Sequence, residues 1–252
     1  MGKLIVLGSA SAVPDGQHDN THFLLQEGDH TILIDCAGSP VQRLSMAGVE
    51  LNSITDIIVT HFHPDHVSGL PMLLMAMWLM DRKSGIDIYG LEDTVERIKA
   101  MMDLYQWGNW PDFYPVNFHS LPTEEGVEVL STDDLRITAS PVRHLIPTIG
   151  LRIDFVQRGK LAAYSCDTEP SPSVVRLAEG VDVLFHEAGG PFVGHTSPLQ
   201  AGEIARQAGA KCLYLVHYPT RGEAPESFVK EAATLFDGPV FLGKDLMTIL
   251  FE

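Results

Sequence analysis

The sequence predicts an α/β fold in which two sheets pack face to face with helices outside. Short apolar strands joined by tight turns recur along the chain, and helical periods are spread among them rather than gathered at one end. Periodicity alone does not separate this arrangement from other α/β layerings. A third observation does: a histidine-rich loop follows directly on a β-branched strand.

Taken in order, residues 4–7, 23–26 and 31–34 read as strands, with Gly28-Asp29 as the hairpin turn between the last two. A short helix over 40–47 precedes a strand over 57–59, which runs straight into the histidines. Residues 67–80 and 92–105 read as helices. Strands resume at 127–130, 135–139, 149–155 and 161–164, with turns at Thr132-Asp133-Asp134 and Arg158-Gly159. The last third mixes helix 173–178, strand 183–186, helix 198–208, strand 213–216, helix 225–235 and two closing strands. No repeat, low-complexity tract or Pro-rich linker interrupts this series, so residues 1–252 are expected to form a single domain.

Hydrophobic residues at 45% and charged residues at 20% suit a soluble enzyme. The formal charge of −16 opposes a broad nucleic-acid surface. Lys3, Arg143, Arg152, Arg206, Lys211 and Arg221 form no basic run, so long nucleic acid is not an expected partner. The start, Met1-Gly-Lys-Leu-Ile-Val-Leu-Gly, reads as a buried strand rather than a signal peptide. The most apolar stretch, 70–80, is too short to span a bilayer, and a cytoplasmic location is expected. Cys36, Cys166 and Cys212 are far apart, without a Cys-x-x-Cys pair. They are expected as small buried residues at strand ends rather than as a disulfide framework.

The most informative decapeptide is Ile57-Ile-Val-Thr-His61-Phe-His63-Pro-Asp65-His66. A buried strand ending at Thr60 throws out three imidazoles and a carboxylate, a nitrogen and oxygen donor mixture that borderline divalent metals favour. His61 and His63 can face one side of the turn and Asp65 and His66 another, so one loop can serve two ions. Further donors arrive at strand ends: His144 after the strand closing at Ala139, Asp167 after Leu161-Ala-Ala-Tyr-Ser-Cys, and His217 after Leu213-Tyr-Leu-Val.

With these residues in place, the chain resembles the metallo-β-lactamase superfamily, whose series is His-x-His-x-Asp-His, a distant His, a bridging Asp and a last His. The resemblance implies an αββα four-layer sandwich with the site at the common edge of both sheets. It also implies that His61, His63 and His144 bind one metal, that Asp65, His66 and His217 bind the other, and that Asp167 bridges them. Asp35 matches the family's early aspartate, which orients the ligand loop. Two divalent ions are expected, Zn2+ first, with Mn2+ or Fe2+ as alternatives.

Within the superfamily the chain is most similar to ribonuclease Z and its phosphodiesterase relatives. Leu7-Gly-Ser-Ala-Ser-Ala-Val-Pro14 resembles that family's opening Gly-rich turn. Tyr164-Ser-Cys-Asp167-Thr-Glu-Pro170 resembles Tyr-Ser-Gly-Asp-Thr-x-Pro, with Cys166 in place of Gly. Phe185-His-Glu-Ala188 and Gly194-His-Thr-Ser197 resemble His-Glu-Ala-Thr and Gly-His-Ser-Thr, with Gly189 for Thr and the hydroxyl residues exchanged; Ser197 can cap a helix. The long basic arm that many ribonuclease Z enzymes carry between the distant His and the bridging Asp is missing, since 144–167 has room for only two strands.

His195, outside the seven ligands, is the expected proton donor, and Glu187 either orients it or stabilises its loop. Asp65 is expected to orient or deprotonate a water bridging the metals, which would supply hydroxide near neutral pH. The expected reaction is hydrolysis of a phosphodiester in a small-molecule or short substrate. Rival readings are a lactonase or other carboxyl-ester hydrolase, a transfer-RNA 3′-end endonuclease, and a non-catalytic protein of the same fold. His18, His22, His30 and His119 are expected as surface or turn residues with no second donor nearby. The excess of apolar residues around Met72, Met75, Met77, Trp78 and Met80 predicts a second buried face, either a homodimer contact or a pocket wall. Trp107, Trp110, Phe113 and Tyr114 are expected either to cap the active site, limiting it to slender substrates, or to form a dimer seam. Arg221 is either a clamp for a substrate anion or an exposed loop cation.

Overall fold

The computed structural model describes residues 2–222 and 225–252; Met1, which opens the run read as the first strand, lies outside them. The chain begins with β1 (Gly2–Gly8), β2 (His22–Glu27) and β3 (His30–Ile34), then α1 (Pro40–Met46) and β4 (Asp56–Ile58). Next come α2 (Pro64–Val67), α3 (Leu70–Leu79), β5 (Ile86–Leu91), α4 (Glu92–Leu104) and β6 (Val116–Leu121). The second half runs β7 (Val127–Ser131), β8 (Leu135–Val142), β9 (Thr148–Phe155), β10 (Lys160–Tyr164), α5 (Pro172–Leu177) and β11 (Val183–Glu187). It closes with α6 (Pro198–Ala208), β12 (Leu213–Val216), α7 (Glu226–Ala232), β13 (Val240–Leu242) and β14 (Met247–Phe251).

Two seven-stranded sheets result, ordered β14-β1-β2-β3-β4-β5-β6 and β13-β12-β11-β10-β9-β8-β7. The period-two alternation of each strand sorts its side chains into layers. Leu4, Val6, Phe23, Leu25, Ile32 and Ile34 of the first sheet meet Leu151, Ile153, Tyr164 and Phe185 of the second in an inner core. The alternate residues Ile5, Leu7, Leu24, Leu33 and Ile57 pack outward on helices α1, α3 and α4. Ala163, Leu184, Leu213 and Leu215 pack outward on α5, α6 and α7. The expected αββα sandwich is therefore the observed architecture.

Three details depart from expectation. Strands β5 and β6 were not among the expected elements, although both alternate in the sequence: Ile86 and Ile88 are buried while Asp87 and Tyr89 are only partly so, and β6 pairs with β5 in parallel. The expected helix over 67–80 is two helices, α2 and α3, broken at Ser68-Gly69. A Cβ on Gly69 would lie 2.6 Å from the Pro40 ring, so the close approach of α1 requires glycine there. The strand expected to close at Ala139 continues as β8 to Val142, which brings its end to within two residues of His144.

The aromatic segment does not cap the site. β4, β5 and β6 run parallel, and the histidine loop leaves the carboxyl end of β4, whereas the aromatic segment leads into the amino end of β6. Trp107, Trp110 and Phe113 pack against the outer helical layer, with Trp110 stacked on Trp78 at 5.2 Å and the Trp78 indole donating to Pro111 O.

Candidate metal centre

The parallel strands β3 and β4 of one sheet and β10, β11 and β12 of the other end at the same edge of the sandwich. The residues after these ends supply Asp35, the loop from His61 to His66, Asp167 and His217, with His144 arriving after β8. Ligand sites at the carboxyl ends of strands follow from such parallel topology. Asp35, Cys166 and His217 all take left-handed backbone at φ 61°, 52° and 51°, which turns the chain sharply at three of these strand ends.

Two groups of donors form. In the first, His63 Nδ1 lies 3.0 Å from His61 Nε2 and 3.1 Å from His144 Nε2. His144 Nδ1 donates to Gly194 O at 2.7 Å, so its Nε2 presents a lone pair to the group. In the second, Asp65 Oδ2 lies 3.3 Å from His217 Nε2 and 3.6 Å from His66 Nε2. His66 Nδ1 donates to Asp35 Oδ2 at 2.8 Å. Asp167 Oδ2 stands between the groups, 3.3 Å from His217, 3.5 Å from His66 and 3.9 Å from His144. All seven residues expected as ligands thus converge.

Their electrostatics suit cations. Burial pushes His61 well below its ordinary value and also lowers His63 and His144, keeping these imidazoles neutral and able to ligate. Burial pushes Asp167 up, but His217 and His66 outweigh it and hold the carboxyl well below the usual range. For His66 and His217 burial also acts downward, and Asp167 with the other carboxylates more than offsets it. The fully buried atoms His66 Nε2 and Asp167 Oδ1 have no hydrogen-bond partner among the described residues. A buried carboxylate oxygen and a buried ring nitrogen left in this way, among nitrogen and oxygen donors at close range, fit divalent ions.

His195 sits over this edge. Its ring stacks on His217 with centroids 5.6 Å apart and meets His144 edge-on at 5.1 Å. Its Nδ1 donates to Glu187 Oε1 at 3.1 Å. Glu187 is fully buried at the end of β11 and also accepts from the backbone N–H groups of Thr168, Thr196 and Gly189. The two roles set as alternatives for Glu187, orienting His195 and stabilising the loop, are one arrangement. The Glu187 hydrogen bond is the main cause that raises His195 above its ordinary value. Just beyond, Ser197 and Gln200 form a capping box at the start of α6, as the hydroxyl at that position predicts.

Several supporting residues were not legible beforehand. Thr60 donates to the Asp35 carboxylate through both its backbone N–H and its hydroxyl. Glu169 accepts from Gly194 N at 2.9 Å and pairs with Arg143, tying the His144 loop to the His195 loop. The Asp-Thr-x-Pro segment that contains Glu169 was the available signal. Of the histidines expected at the surface, His22 is instead fully buried in β2, with Nδ1 donating to Asn20 O. His18, His30 and His119 each meet a carboxylate, from Asp15, Asp56 and Asp87 respectively, so each has a second group beside it. Cys36 and Cys166 are buried at strand ends as expected, while Cys212 is half-buried. Arg221 is exposed.

Residues 30–218 match the family model described as the beta-lactamase superfamily domain. The chain belongs to that superfamily. It is 28% identical to ribonuclease Z of Methanothermobacter thermautotrophicus over 304 residues, covering 99% of this chain and 96% of the relative. Among solved structures it is similar to the metallo-beta-lactamase fold protein YhfI from Bacillus subtilis, at TM-score 0.81, 24% identity and 98% coverage of both chains. It is equally similar in fold to the short form of human tRNase Z, at TM-score 0.81, 23% identity and 99% coverage of both.

Proposed function

We propose that this metal-dependent ester hydrolase cleaves phosphodiester bonds in small or short substrates, using two divalent ions, zinc foremost. His61, His63 and His144 would hold one ion, Asp65, His66 and His217 the other, with Asp167 between them. Bound there, the ions would make a water acidic enough to act near neutral pH and would offset negative charge gathering on the phosphoryl oxygens. Asp65 meets His66 and His217 through Oδ2, leaving Oδ1 to orient the attacking water and take its proton. His195, with Nδ1 committed to Glu187, keeps Nε2 for protonating the leaving oxygen. That His195–Glu187 pair, set beside the rings of His144 and His217, is the observation that carries the reading.

A transfer-RNA 3′-end endonuclease is not the reading we favour. Only β9, β10 and the single 3-10 turn joining them lie between His144 and Asp167, and the chain carries −16. The comparison with the ribonuclease Z of Methanothermobacter thermautotrophicus runs over 304 residues against a chain of 252, so that relative has stretches without a counterpart here. A carboxyl-ester hydrolase is the second reading. Leu145, Phe192 and Val193 are exposed by 61%, 68% and 74% on the loops that carry His144 and His195, an apolar rim suited to an acyl group. The three free cysteines agree with a reducing, cytoplasmic location.

The test is a panel of a model phosphodiester, a long-chain lactone and a pre-transfer RNA, run on metal-reconstituted protein. Turnover of the phosphodiester alone supports the proposal. Preference for the lactone establishes the second reading, and cleavage of the RNA overturns both.

A further inference from the structure

We infer that Cys166 is a positioning residue for His61, whose buried thiol locks the imidazole in the tautomer and orientation that present Nε2 to a metal ion. The inference rests on the two-ion reading of the site. Cys166 follows β10 and is fully buried. It stands where the sequence departs from the Tyr-Ser-Gly-Asp pattern, and its backbone is left-handed at φ 52°, a conformation that favours glycine. A side chain placed at such a position has a local conformational cost to offset, and the contacts of the thiol indicate where the offset arises.

The thiol donates to Thr60 Oγ1 at 3.0 Å and lies 3.5 Å from His61 Nδ1. Thr60 Oγ1 is itself 3.1 Å from His61 Nδ1 and donates to the Asp35 carboxylate at 2.9 Å. The proton positions follow from these contacts. Asp35 accepts the Thr60 hydroxyl proton, and the thiol proton goes to one lone pair of Thr60. The proton on His61 Nδ1 then goes to the remaining Thr60 lone pair and to the sulfur. His61 Nε2 is left as a lone pair beside His63 Nδ1. Asp35 also accepts from His66 Nδ1, so one buried carboxylate reaches both donor groups: His66 directly, and His61 through Thr60 and Cys166. The donor atoms of His61, His66 and Cys166 lie within 4.8 Å of one another, and the fully buried His66 Nε2 has no hydrogen-bond partner among the described residues, which marks this corner as facing a ligand. Partners of this kind fix ring orientation and raise ligand affinity.

The test compares the wild-type chain with Cys166→Gly, Cys166→Ala and Cys166→Ser, each loaded with Zn2+ and challenged with a chelator, and each also loaded with Co2+ for visible spectroscopy. Glycine suits the backbone at this position, so Cys166→Gly is expected to keep the fold, checked by thermal unfolding. Cys166→Gly and Cys166→Ala should weaken retention of one of the two metal equivalents by about 10–100-fold and shift the Co2+ bands. Cys166→Ser, which keeps a donor and an acceptor, should restore most of the retention. Unchanged retention and spectra in both Gly and Ala variants overturn the inference while leaving the two-ion reading intact. So does a sulfur-to-cobalt charge-transfer band in the wild type that the variants lose, because Cys166 would then be a ligand itself. A wild type that binds fewer than two ions overturns the two-ion reading, and this inference falls with it.

Discussion

The Nδ1 of His195 donates to the Glu187 carboxylate at 3.1 Å, and Glu187 has no exposed surface. A buried carboxylate that also accepts three backbone N–H groups cannot swing away, so it holds the imidazole in one tautomer over the donor groups. An alkoxide is a poor leaving group and gains from a proton delivered in the transition state, whereas a nitrophenolate leaves readily without one. His195→Ala should therefore slow cleavage of an alkyl phosphodiester by about 10²–10⁴-fold and a nitrophenyl phosphodiester far less, with metal content unchanged. Equal losses on the two substrates would assign His195 to binding instead.

Glu187→Gln tests whether that histidine acts through the carboxylate. The amide retains one acceptor and brings donors where three backbone N–H groups already point, so both the loop and His195 should be disturbed. On the alkyl substrate the double variant should be no slower than His195→Ala alone, because the two residues form one unit. Additive losses would separate their roles.

Seven donors exceed the roughly four that a single tetrahedral ion takes. Protein purified without chelator should approach two metal equivalents per chain by elemental analysis. Asp167→Ala removes the oxygen that stands between the two groups and should lower occupancy and abolish turnover. A protein with one equivalent and full activity would refute the two-ion mechanism.

Because the aromatic segment lies at the far end of the sheet, Trp110→Ala should leave KM unchanged across a substrate series. It removes the stack on Trp78 and the edge contact with Phe113, and should destabilise the fold by about 0.5–3 kcal/mol. A KM effect without loss of stability would return the segment to the active site.

The apolar excess of α3 remains uncovered in the single chain: Met72, Leu79 and Met80 are exposed, as is Met46 of α1. A homodimer through this face is the expected consequence. Sedimentation should show a dimer in the wild type and a monomer in Met72→Glu combined with Leu79→Glu, with metal content preserved. A wild type that sediments as a monomer would dismiss the interface.

Much of this protein was determined by local sequence alone. The β-branched run before His61, the donors closing later strands and the Ser197 cap are short-range patterns, because strand alternation and helix capping act over only a few residues. Helix α6 and strand β12 fall where the periodicity places them. What tertiary structure decided has a common physical cause: each case depends on atoms distant in sequence. β5 and β6 are strands because neighbouring strands complete their hydrogen bonds, and glycine is required at position 69, between α2 and α3, because Pro40 approaches there. The aromatic segment is remote from the site because parallel pairing sends it to the opposite sheet end. The links from Thr60 to Asp35 and from His144 to Gly194 each join loops at strand ends of one sheet, and that from His61 to Cys166 joins the two sheets; their spacing carries no period, so they arise only once the strands are assembled.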